Sequence, residues 1–142
     1  MRSLSAVLVL AAFTACGAPK DAAPPAGPTL ADFAGTWENT STLTGVAAPV
    51  TSTITGTADT TGWTMSLEGR PNIPLRVSVV GDSLIAESAE YESILRKGVM
   101  VTTRTASVLK DGMLVGTLTA DYKTATGVEK VAGTVEGKRA AK

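Results

Sequence analysis

The sequence predicts an all-β domain, an eight-stranded antiparallel up-and-down barrel, preceded by a signal helix and a disordered linker. Three observations predict it. From Phe33 onward the chain is written in short runs of β-branched residues broken by Gly, Asp and Pro. Turn-forming residues return at roughly ten-residue intervals, the spacing of small sandwiches and barrels. Within the runs, apolar and polar residues alternate with a period of two, as a sheet with one buried and one wet face requires.

Eight strands follow, at 35–43, 50–58, 62–68, 74–80, 83–90, 99–109, 112–122 and 128–138. In the third, Trp63, Met65 and Leu67 share a face; in the fourth, Leu75, Val77 and Val79 stand opposite Arg76 and Ser78. The seventh sets Leu114, Gly116, Leu118, Ala120 and Tyr122 on one face. Gly81-Asp82 and Lys110-Asp111-Gly112 supply residues that tolerate positive φ in tight hairpins. Short links between successive strands favour a meander over a Greek key. The stretch AEYESILRK, residues 89–97, reads either as a loop or as a short helix.

Composition narrows the chemistry. The chain of 142 residues balances 13 basic against 13 acidic side chains, which gives nucleic acid no basic stripe to bind. It has no His and no Gln, and Asn occurs only at Asn39 and Asn72. Without His there is no Ser-His-Asp triad, no Cys-His pair and no His-based zinc site. Glu87, Glu90 and Glu92 form an acidic cluster, read as solvated edge charges and not as paired catalytic carboxylates. The expectation is a non-enzyme with no catalytic residues, no metal and no cofactor.

The first residues read as a targeting signal. Arg2 precedes an apolar run from Leu4 to Phe13, too short to span a bilayer of ~30 Å as a helix. Phe13-Thr14-Ala15-Cys16 resembles the lipobox of bacterial lipoproteins, with Phe13 standing where Leu is usual. The resemblance implies cleavage before Cys16, residues 1–15 being the signal peptide, and attachment of acyl groups such as palmitate to Cys16. It also implies a cell-envelope protein held to a membrane by those acyl groups. Gly17 after the cysteine points to the outer membrane, facing the periplasm, if the host has two membranes. Residues 16–32 are then the lipidated Cys and a Pro/Ala-rich linker that cannot bury enough surface to order itself. Fully extended it reaches ~45 Å.

The domain, residues 33–140, opens Phe33-Ala34-Gly35-Thr36-Trp37, which resembles the Gly-X-Trp start of lipocalins and related calycin barrels. In that family the Trp lies at the closed base, and a basic residue near the end of the last strand packs across it. Here Trp37 and Arg139 match as the barrel-base pair. The resemblance implies a barrel that binds a small apolar or amphiphilic molecule. An interior of eight strands is just wide enough to be filled or to hold one small ligand. Its inward residues mix large side chains with small ones (Ser41, Ser52, Gly56, Ala58, Gly116, Ala120, Gly133), which either open a pocket or offset the bulk. Candidate ligand contacts are Arg104, Arg76 and Arg70 for an acidic group. Arg96 with Tyr91 is a candidate at the mouth, and Trp63 a candidate platform. For Arg104 an outward surface position is the competing reading. The alternative function is an envelope interaction or inhibitor module with a filled barrel, whose partner is a protein.

Overall fold

The computed structural model describes residues 25–141. The segment read as a signal peptide, Cys16 and the first part of the expected linker lie outside the described residues. The elements, in order, are helix α1 (Leu30–Phe33) and strands β1 (Gly35–Leu43), β2 (Val50–Gly56), β3 (Thr64–Ser66), β4 (Ile73–Val80), β5 (Ser83–Ser88), β6 (Tyr91–Glu92), β7 (Met100–Lys110), β8 (Met113–Thr124) and β9 (Gly127–Arg139). Each strand pairs antiparallel with its sequence neighbours, save that β5 and β6 both pair with β7, and β1 pairs with β9. With β5 and β6 forming one stave, this is a closed eight-stranded up-and-down barrel.

The broken stave has a local cause. Three residues lie between the paired positions Glu87 and Tyr91, and two between their partners Arg104 and Val101. The extra residue, at Ala89-Glu90, makes a β-bulge. Opposite it the Thr103 N–H donates to the Ser88 hydroxyl at 2.8 Å. Residues 93–99 then form a compact loop, so the helical reading of 89–97 is not realised. Elsewhere the turn chemistry is as the residues require: Asp111 and Gly112 take φ of 52° and 76° in a two-residue hairpin loop.

One end of the barrel is closed. Leu30, Ala31 and Asp32, expected in the linker, instead form α1, and Phe33 from that helix is fully buried beneath the staves. The Trp37 indole N–H donates to the Phe33 carbonyl at 2.8 Å. The Arg139 guanidinium lies 4.2 Å from the Trp37 ring centroid and donates to the carbonyls of Ala34 (2.7 Å) and Asp32 (2.9 Å). Helix, indole and guanidinium together cork the base.

The small inward residues divide: Ser41, Ser52 and Ala120 line a cavity, while the glycines are consumed by packing. The Trp63 ring lies where a Cβ at Gly56 would be, and the Asn39 amide lies where a Cβ at Gly137 would be. At Gly116 and Gly133 the backbone of the neighbouring strand leaves no room for a side chain. Ala58 is exposed in the loop after β2 and lines nothing. The core nevertheless divides in two. One cluster, with Phe33, Trp37, Trp63 and Leu75, fills the closed half; the other, with Leu43, Val101, Leu118 and Tyr122, lies toward the open end.

Candidate functional site

Where the two clusters fail to meet, the barrel holds a cavity of about 60 Å³. Strand alternation decides its lining. Asn39, Ser41 and Leu43 face it from β1, Ser52 and Ile54 from β2, and Met65 from β3. From the far wall come Val101, Thr103 and Thr105 of β7, Leu118, Ala120 and Tyr122 of β8, and Val135 of β9. Tyr91 packs against both core clusters and also lines the space. Burial pushes the Tyr91 phenol above its ordinary value, with the Thr103 hydroxyl opposing. Among the described residues no Lys, Arg, Asp or Glu lines this cavity.

The roof is the 93–99 loop. Its Ile94 and Leu95 line the cavity below yet remain 43% and 39% exposed, so they stand between it and solvent. The loop is tied internally. The buried Ser93 hydroxyl accepts from the N–H groups of Leu95 and Arg96, both at 3.1 Å, and the Glu92 carboxylate accepts from the Gly98 N–H at 2.9 Å. Arg96 fastens the loop across the mouth. Its guanidinium donates bidentately to Glu129 at 2.7 and 2.8 Å while stacking 4.2 Å above the Tyr122 ring. The sequence placed Arg96 and Tyr91 together as a mouth pair; the structure puts both at the mouth, but Arg96 engages Tyr122 and Glu129.

This latch is pH-sensitive in a stated direction. Hydrogen bonds from Arg96 hold the Glu129 carboxyl below its ordinary value of 4.5, with desolvation opposing and the charge of Arg96 adding. A carboxylate depressed in the folded state contributes fully above its unfolded value and loses that contribution as pH falls through the folded one. Amide protection at Leu95 and Arg96 should therefore hold from neutrality to about pH 5 and decline below about pH 4, ahead of the barrel strands. Uniform loss of protection across strands and loop would contradict a separate latch.

The other sequence candidates are not in the cavity. Arg104 projects from the outer face of β7 and pairs with Glu87 at 3.2 Å, both exposed. Val101, Thr103 and Thr105 of the same strand are the inward ones, so Arg104 takes the outward surface position and does not line this cavity. Arg76 is likewise exposed, on the outward register of β4. Arg70 lies 3.8 Å from Glu92 on the outside. Trp63 is buried core, its indole N–H donating to the Asp59 carbonyl at 2.7 Å, and it contributes nothing to the cavity wall. Glu87, Glu90 and Glu92 do not converge on each other; each faces a cation, Arg104, Lys123 and Arg70 respectively.

The residue the sequence reading passed over is Asn39. It is only 4% exposed, and its Oδ1 has no hydrogen-bond partner in the protein. The signal was available: Asn39 falls between Trp37 and Ser41 on the inward register of β1. Comparison with known proteins returned nothing, neither a family model, nor a curated protein, nor a solved structure that matches the chain.

Proposed function

We propose that this chain is a membrane-anchored envelope lipoprotein that holds one small molecule in its barrel, beneath the 93–99 roof. The observation that carries the reading is the cavity itself, mostly apolar, roofed by a latched loop and lined in part by the uncharged polar side chains of Ser41, Ser52 and Thr103. Such concave, largely apolar spaces with a few convergent polar groups are what small-molecule sites look like. The volume sets a limit. About 60 Å³ is far below the ~300–1,000 Å³ of a drug-sized pocket. With the loop closed, the occupant has only a few heavy atoms, or is the inserted end of a longer molecule whose remainder passes the roof.

The lipid anchor fits this arrangement. Helix α1 joins the barrel at its closed base, opposite the mouth, so a tether from Cys16 attaches at the end away from the cavity. The mouth is then free to open on the aqueous side. Native mass spectrometry of the chain purified from its own host's membranes tests both parts. The expected result is a polypeptide beginning at Cys16 with acyl mass, plus a further mass that leaves on denaturation. Acylated protein with no retained mass would end the ligand reading in favour of a protein-interaction module. Absence of acyl mass would end the anchor reading.

A further inference from the structure

We propose, resting on the lipid anchor read above, that the outer wall of β4, β5, β7 and β8 near the closed base lies against the same lipid surface that holds Cys16.

Strand register assembles an apolar patch there that no single strand displays. Directly paired residues of neighbouring antiparallel strands point to the same side of the sheet. Val80 pairs with Ser83, Ser83 with Val108 and Val108 with Val115, which makes one row across four strands. The next row toward the mouth sets Ile85 beside Ala106, and Met113 shares the outward face of β8 with Val115. Val80 and Val108 are 64% and 36% exposed, and the other four are partly exposed. The opposite wall is different in kind. There β1 turns Glu38, Thr40 and Thr42 outward, and β2 turns out Thr51, Thr53 and Thr55.

The place where the chain meets the barrel selects the occupant. Gly27 abuts the β4–β5 turn, where a Cβ on it would lie 3.6 Å from the Gly81 carbonyl oxygen and from Asp82 Oδ1. Val80 immediately precedes that turn, so the tether arrives at the edge of the patch. Cys16 lies eleven residues before Gly27, at most ~40 Å of extended chain. Acyl groups on Cys16 keep the patch within that reach of lipid, and a weak contact then suffices because its partner is already at hand. The size of the patch agrees. Six side chains, four of them only partly exposed, fall well short of the ~800 Å² per partner of a stable protein interface. They suit shallow seating in a bilayer surface, where an apolar face sinks ~5–10 Å. The bordering charges, Asp82, Lys110, Asp111 and Glu136, are all exposed at the rim, where headgroups and water reach them.

Nitroxide labelling of the acylated full chain, in vesicles of phosphatidylethanolamine and phosphatidylglycerol, tests the proposal. Cys16 is the chain's one cysteine, and on the anchor reading its thiol carries lipid, so a single introduced cysteine takes the label. Labels at Val80→Cys and Val108→Cys are expected to meet oxygen in preference to an aqueous nickel chelate, reporting a depth of ~5–10 Å. Labels at Thr40→Cys and Thr51→Cys, on the far wall, should report water. Adding Val108→Asp to the Val80→Cys chain should return that label to water and leave the far-wall labels unmoved. Patch labels as wet as the far-wall ones would overturn the proposal. So would patch labels shielded from both reagents, the mark of a protein cover, or coupled between copies, the mark of a dimer. A chain that carries no acyl mass and does not stay with the vesicles would overturn the anchor reading and this proposal with it, a failure seen before any label is read.

Discussion

Trp37→Ala is expected to cost the domain most of its stability. Trp37 is fully buried, and truncation of a buried Trp or Phe removes roughly 3–5 kcal/mol through lost transfer energy and the cavity left behind. Here more depends on the ring. Its N–H holds α1 through the Phe33 carbonyl, and its face carries Arg139, an interaction of ~0.5–2 kcal/mol. Trp37 also pairs directly with Arg139 in the β1–β9 ladder, the seam that closes the barrel between the two ends of the domain. Small domains have only ~5–15 kcal/mol in total. Denaturant unfolding followed by the remaining indole, Trp63, should show a largely unfolded chain or a midpoint moved close to zero denaturant. Arg139→Met keeps the apolar stem and should lose about 1–3 kcal/mol, since it removes the stacking and the two carbonyl bonds. Equal midpoints for the two variants would mean that the indole is only one core residue among many.

The contrast between Arg76 and Arg104 shows how far the sequence could be read. In β4, Leu75 and Val77 alternate so sharply with polar residues that the outward side of Arg76 is fixed by pattern alone. In β7 the inward residues are Val101, Thr103, Thr105 and Ser107, and the outward ones include Thr102, Ala106 and Val108. Neither set is more apolar than the other, so period two says nothing about which face Arg104 takes. Strand existence was legible except at β6, which falls in the stretch read as loop or helix, because β-branched runs and Gly or Asp turns are local signals. The bulge at Ala89-Glu90 was not, since it depends on the register against β7, a partner distant in sequence. The same holds for the small residues. Whether Gly56 opens a pocket or receives Trp63 depends on what lies across the sheet, and composition cannot supply that. Asn39 could have been found, as the one amide on the inward register that Trp37, Ser41 and Leu43 share.

Gly116→Ala should be the most damaging one-atom change in the barrel. Gly116 pairs with Ser107 of β7 on one side and Val135 of β9 on the other. A Cβ there would collide with the Ala106 carbonyl oxygen and lie 2.6 Å from the Ser107 Cα. Both obstacles are backbone within the β7–β8 ladder, so relief requires the strands to part or shift, not a side chain to rotate. Overpacking of this kind costs ~1–3 kcal/mol where side chains can yield, and here about 3 kcal/mol or more is expected because they cannot. Gly137→Ala is the internal control. The atom it meets is the end of the Asn39 side chain, which can move or be removed. Pairing Gly137→Ala with Asn39→Ala should therefore restore most of the lost stability. No side-chain truncation should do so for Gly116→Ala. Thermal denaturation of the three variants distinguishes the cases. A Gly116→Ala midpoint within a degree or two of the parent, roughly the effect of a few tenths of a kcal/mol, would show that β7 and β8 do not approach so closely at this point.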